Sequence, residues 1–264
     1  MPLNSERILS AEPSVGLVIG TYASVPYVHL ALETRRRLYP QLPVLVHDDA
    51  SPHAPQLQHL CARYGAAFSC NPQRLRHSVG DVSAFVQGLE WASNQDLELL
   101  VKMSRRFVPL ANWVPGLQQL ARTSQYATYS HHCTGTGFGF RTECIGLHVP
   151  SWRNGGAWRD LYERTQRNEP VFVEAHVHNL ARELHRSNCQ VNQAYEVRYP
   201  RPSEAQAYGV WTIMQDSRWH RSAEVLWHDC DTPLDYARLA VLYGLDYTPA
   251  HFQDPNEGNG QGTA

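Results

Sequence analysis

The sequence predicts an α/β domain: a mostly parallel sheet flanked by helices, followed by a mixed α+β second half. Two observations carry this. Through residues 15–113, short apolar runs that fit buried strands alternate with segments of helical periodicity, joined by short polar connections, the pattern of right-handed βαβ crossovers. The composition, 264 residues with 42% hydrophobic and 18% charged, supplies enough apolar surface for one large globular domain.

The elements follow in order. Residues 15–21 (VGLVIGT) form an apolar strand, and residues 28–38 carry apolar positions at helical spacing. Residues 44–47 (VLVH) give a second strand, stopped by DDASPHAP, and residues 56–64 a second helix. A weaker third strand spans 66–70, and a helical stripe of Val82, Phe85, Val86 and Leu89 spans 82–92. Residues 97–101 form the fourth strand, after which the chain passes through a polar turn, Lys102 to Arg106, and Pro109 into a helix. The second half is less regular: strands at 127–130 and 137–141, helices at 158–167 and 171–185, and a last helix at 232–243 with Pro233 in its first turn. Residues 1–14 read as an N-terminal extension, 15–252 as one domain divided at residue 113, and 253–264 as a disordered tail without apolar side chains.

Charge and cysteine content exclude several classes. A formal net charge of −2 provides no general basic field for nucleic acid or anionic membranes, so a nucleic acid is disfavoured as partner. No run approaches the roughly 20 apolar residues that span a bilayer, and no cationic leader opens the chain, so a cytoplasmic location is expected. The six cysteines contain no C-x-x-C and read as reduced core thiols. The H-x-H of His176 and His178 chelates a metal only if extended, since i and i+2 diverge on a helix.

Ligands of parallel sheets bind at the carboxyl ends of the strands. Here these ends carry Thr21 and Tyr22, then Asp48 and Asp49, then residues 71–76, then Lys102, Ser104, Arg105 and Arg106. Tyr22 offers a flat surface and Asp48 and Asp49 acceptor oxygens; either carboxylate also fits a cap for the helix after Pro52. Arg74 and Arg76 read as surface arginines.

Residues 15–64, VGLVIGTYASVPYVHLALETRRRLYPQLPVLVHDDASPHAPQLQHLCARY, resemble the opening of family 2-like glycosyltransferases, in which the first strand ends in Thr/Ser-Tyr and the second in Asp-Asp-Gly-Ser. The match runs on through Asn71-Pro72, a Gly80-containing turn and the helix ending EWA to the fourth strand; Ala50 replaces the usual glycine. The resemblance implies a GT-A, Rossmann-like fold, with 15–113 as the nucleotide half and 114–252 as the acceptor half. It implies transfer of a sugar from a nucleoside diphosphate, UDP foremost, to an acceptor hydroxyl with inversion.

In most such enzymes the fourth strand ends in Asp-x-Asp, which holds a divalent metal against the diphosphate. Here that place reads Ser104-Arg105-Arg106, so no metal and no cofactor is expected. An arginine ~4 Å from a phosphate contributes on the order of 4 kcal/mol at an effective dielectric of 20, and its fork grips two oxygens. Lys102, Arg105 and Arg106 are expected to meet the charge of the leaving diphosphate, and KMSRRF is similar to the K-x-S/T-G-R-Y of members lacking Asp-x-Asp. The resemblance implies an acidic base in the second half; Glu174 in VFVEAHVHNL is the first choice and His176 the second. His228, before the last helix, is expected at the diphosphate. Two other classes remain: a sugar nucleotidyltransferase, which needs a Gly-rich phosphate loop that GTYASVPY does not supply, and a noncatalytic nucleotide- or carbohydrate-binding protein.

Overall fold

Seven residues of β1 (Val15–Thr21) occupy the centre of the sheet, buried at every position except a half-buried Gly20. β2 (Val44–Asp48) and β4 (Leu99–Ser104) flank it, both parallel, with Thr21 opposite Asp48 and Gly20 opposite Ser104. β3 (Ala67–Cys70) adds to β2 in parallel. Beyond β4 the sheet changes direction: β7 (Cys144–His148) is antiparallel to β4, and β6 (Thr128–Ser130) is antiparallel to β7. The strand order is therefore β3-β2-β1-β4-β7-β6. The chain moves outward from β1 to β3 and then returns to β4 on the other side of β1. The connections part between β1 and β4, which opens a crevice at their carboxyl ends. This is a computed structural model, and it describes residues 12–124, 128–130, 142–154, 156–187, 225–227 and 231–253.

Side-chain alternation assigns the two faces. Leu17, Ile19, Val46, Leu99, Val101 and Met103 pack under α1 (Val25–Leu38), α2 (Ala54–Tyr64) and the start of α4 (Val114–Ser124). Val18, Leu45, Leu100, Ile145 and Leu147 pack under α3 (His77–Asn94), with α5 (Val149–Asn154), α6 (Ala157–Arg167) and α7 (Val173–Ser187) around it. α3 lies unusually close to the sheet, because a Cβ at Gly88 would stand 2.6 Å from Val18 Cγ1. A third cluster closes the chain: α8 (Pro233–Leu242) and a 3₁₀ turn (Pro249–Phe252) fold back on α1, where Tyr27 donates a 2.6 Å hydrogen bond to the Phe252 carbonyl. β5 (Phe107–Pro109) pairs antiparallel with β8 (Val225–Trp227).

The fourth strand is shifted from its expected place. Leu97 is excluded because its N–H closes the end of α3 on the Ala92 carbonyl and Asp96 adopts φ +53°. At the other end the strand continues through Lys102 to Ser104, so the turn consists of Arg105 and Arg106 alone. Lys102 belongs to a strand because its ammonium is paired inside the protein, as described below. α3 begins five residues before the expected position 82, and β5, β7, β8 and α5 were not foreseen. The expected strand at 137–141, the start of the N-terminal extension (residues 1–11) and residues 254–264 of the tail lie outside the described residues. Among the described residues no helix is long and apolar enough to cross a membrane.

Candidate functional site

A cavity of about 670 Å³ occupies the crevice between the carboxyl ends of β1 and β4. Thr21, Tyr22, Asp49, Lys102, Ser104, Arg105, Arg106 and Glu174, all expected from the sequence, line it. Asp48 and His176 do not, and His228 lies outside the described residues.

The adjacent carboxylates after β2 have different surroundings. Asp48 is fully buried, its Oδ2 accepting the Ser51 N–H at 2.7 Å, so it shapes the turn into α2. Burial pushes its carboxyl pKa up, and its Oδ1 has no partner. Asp49 instead borders the cavity and is fixed from behind: its Oδ1 accepts from Asn71 Nδ2 at 2.8 Å and from the Leu75 N–H at 3.0 Å. Asn71 also donates to Ser83 Oγ, which accepts from His47 Nε2 at 2.9 Å. Ser83 gives its own proton to the Gly80 carbonyl at 2.7 Å, which assigns Nε2 of His47 as a donor and leaves Nδ1 to accept from Ser69. This neutral imidazole is consistent with its burial, which pushes the pKa down to about 4. Ala50 between these groups adopts φ +51°, the left-handed conformation that the usual glycine would hold without strain. Tyr22 projects from the end of β1 with the Arg74 guanidinium 3.9 Å from its ring centroid. Arg74, read from sequence as a surface residue, is therefore part of the site.

At the β4 end the expected division of labour changes. Lys102 is buried with its ammonium on Asp81 of α3 and, at 2.9 Å, on the Thr142 carbonyl, with the Phe85 ring at 5.1 Å. It faces the helix side of the sheet rather than a solvent-exposed phosphate. Arg105 and Arg106 line the cavity, and the Arg106 carbonyl accepts from the Tyr236 hydroxyl of α8, which ties the turn to the C-terminal helix. A divalent cation at this place would need several oxygen ligands. The strand end offers one hydroxyl and two guanidinium groups, and the carboxylate of Asp81 is already paired. Among the described residues no group of three or more His, Cys, Asp or Glu could hold a metal ion.

Glu174 lines the cavity from the first turn of α7, with Val171, Phe172 and Val173. His176, two residues on, turns away: its Nε2 lies 2.6 Å from Asp160 Oδ2 on α6, and burial together with nearby Arg164 lowers its pKa. Of the two candidates for a base, the cavity holds Glu174. His77, Ser78, Asp81, Thr142 and Glu143 also line it; His77, Ser78 and Asp81 were not singled out from the sequence. The available signal was polar residues interrupting a helical stripe at the start of α3, on the side that faces the sheet.

No family model matches the chain, and no curated protein matches it by sequence. Solved structures do. S. aureus TarS, residues 1–349, superposes with a TM-score of 0.51 at 11% identity, covering 90% of this chain and 68% of that one; TarS in complex with UDP gives 0.48 at 12%. The mannosyltransferase PcManGT from Pyrobaculum calidifontis, in complex with GDP-Man and Mn²⁺, gives 0.45 at 16% identity over 56% of this chain and 48% of that one. This chain thus spans about half the length of that mannosyltransferase. At such identities the likeness is one of fold: a mixed α/β, Rossmann-like architecture with a mostly parallel sheet.

Proposed function

We propose that this chain transfers a sugar from a nucleoside diphosphate, UDP foremost, to an acceptor hydroxyl, with inversion and without a metal ion. The observation that carries the reading is the placement of three unlike groups around a single crevice at the sheet's switch point. Asp49 with Tyr22 and Arg74, the Arg105-Arg106 turn at the end of β4, and Glu174 of α7 all line it. Asp49 accepts the ring N–H of the base, and Tyr22 with Arg74 on its ring offers the base a flat surface. Glu174 takes the proton of the acceptor hydroxyl as its oxygen attacks the anomeric carbon. The bond from that carbon to the diphosphate breaks, and Arg105 and Arg106 stabilise the charge that appears on the leaving oxygens.

A noncatalytic nucleotide-sugar-binding protein is the second reading, motivated by the replacement of the acidic pair with Ser104-Arg105-Arg106. A two-step experiment separates them. In a thermal-shift panel of UDP, GDP, dTDP and CMP, a nucleotide at 100 times its Kd adds about 2.7 kcal/mol of stability. Incubation with the matching nucleotide sugar and an acceptor should then release free nucleotide, and Glu174→Gln should slow that release ~100-fold with nucleotide binding retained. Absence of any nucleotide-dependent shift would overturn both readings; binding without release would favour the second.

A further inference from the structure

Lys102 was expected at the diphosphate, and its actual position points to a different device. Its side chain is 1% exposed while that of its partner, Asp81, is 28% exposed. The ammonium is engaged by Asp81, by the Thr142 carbonyl and by the Phe85 ring, which occupies its three N–H directions. The carboxylate therefore has its countercharge behind it, in the protein, and its open side toward the cavity, where both residues lie. Among the described residues no other hydrogen bond reaches Asp81. It rests over Gly20, at the end of β1, where a Cβ would come within 3.0 Å of Ala84. The Thr21 hydroxyl, nine-tenths buried and lining the same cavity, has no hydrogen-bond partner.

An acceptor-only carboxylate suits a ligand rich in O–H groups and repels phosphate oxygens or another carboxylate. In the cavity Arg74 stands over Tyr22 and Arg105 and Arg106 follow β4, while Asp81 projects from α3 over the end of β1. We propose that Asp81, held by Lys102, is a specificity-determining residue that reads the hydroxyls of the donor sugar, so that the transferred sugar is an uncharged one and a uronic acid is rejected. This rests on the nucleotide-sugar reading of the site. An acceptor-only carboxylate bridges two neighbouring hydroxyls of a neutral sugar, whereas a sugar carboxylate in the same place would face Asp81 with like charge.

The experiment titrates UDP, UDP-glucose and UDP-glucuronate into the wild type and into Asp81→Asn. The wild type should bind UDP-glucose at least tenfold more tightly than UDP-glucuronate. Asp81→Asn should leave UDP within about twofold, weaken UDP-glucose about 10- to 100-fold, as loss of a hydrogen bond to a charged group does, and strengthen UDP-glucuronate because Lys102 then lacks its countercharge. That inversion of preference is not expected of a structural role. If the unpaired Lys102 unfolds the single variant, Asp81→Asn with Lys102→Met removes both charges; it should lose the UDP-glucose preference without gaining UDP-glucuronate. A wild type that binds none of the three probes overturns the reading of the site and the inference with it. Binding of UDP with equal affinity for the two conjugates, or with UDP-glucose unaffected by the variants, overturns the inference alone.

Discussion

Asp48 and Asp49 occupy consecutive positions yet belong to different parts of the molecule, one to a turn and one to a cavity. Asp49→Ala should weaken UDP binding by ~1.5 to 3 kcal/mol, the range for a charged hydrogen bond, with the melting temperature kept. Asp48→Ala should lower the melting temperature by removing the acceptor for the Ser51 N–H. Calorimetry on both variants distinguishes them, and equal UDP affinity in Asp49→Ala would remove the base-reading role. The sequence showed that a carboxylate pair stood at the end of the second strand; which of the two faced the ligand depended on Asn71 and Leu75, beyond the next strand. His47, in the network behind Asp49, supplies a pH test. Burial lowers its pKa to about 4, so between about pH 6.5 and 4 the unfolded chain binds a proton that the folded protein does not. Stability should therefore fall as the pH is lowered through that window, by up to about 3 kcal/mol from this residue. Burial also lowers the pKa of His29, His148 and His176, which act in the same direction. Urea unfolding at pH 7 and pH 5 should record the loss, and His47→Gln should flatten the slope.

Helix α3 shows how one element serves both the core and the site. Its inner face is made of Gly80, Ala84 and Gly88 at four-residue spacing, so it approaches the sheet closely enough to bring Asp81 to Lys102 and Ser83 to His47. A methyl group at Gly88 meets Val18 and Leu100 at 2.6 and 3.0 Å, whereas one at Gly80 meets the Asp49 carboxylate, its nearest oxygen at 2.4 Å. Gly88→Ala should thus destabilise by ~1 to 3 kcal/mol through overpacking, outweighing the better helix propensity of alanine, while UDP affinity stays unchanged. Gly80→Ala should displace Asp49 and weaken UDP binding. Melting curves paired with UDP titrations of both variants check the contrast, and a binding defect in Gly88→Ala alone would contradict it. The helix was legible from Val82 onward, where its apolar stripe is regular. Its first turn was not, because its glycine and polar side chains there are chosen by what they touch in the sheet and cavity rather than by period. β7 escaped notice for a related reason: Gly146 interrupts its five residues, and its pairing with β4 is a contact between segments some 40 residues apart.

At the scale of the whole molecule, the alternation of strands and helices up to residue 113 was enough to anticipate the parallel half of the sheet and to locate its carboxyl ends. The sequence alone did not show which groups the crevice would collect, because they arrive from distant elements: Asp81 from α3, Glu174 from α7, and Tyr236 from α8 to hold the Arg106 carbonyl. The proposed transfer depends on the β4 end, where Arg105 and Arg106 line the cavity and Lys102 is paired with Asp81. Transfer should therefore proceed at an undiminished rate in excess EDTA, and added magnesium or manganese should change it little. The Arg106 carbonyl is anchored by the Tyr236 hydroxyl, which fixes the turn. Arg106→Ala should cost ~2 to 4 kcal/mol of transition-state stabilisation, as loss of a preorganised charge-stabilising group does. Arg106→Lys should recover only part of that, because an ammonium lacks the bidentate fork. Lys102→Met in the Asp81→Asn background should leave the EDTA response unchanged, since neither residue is assigned to the diphosphate. A strict requirement for manganese, together with full activity of Arg106→Ala, would place charge stabilisation on a metal and remove the turn from the mechanism.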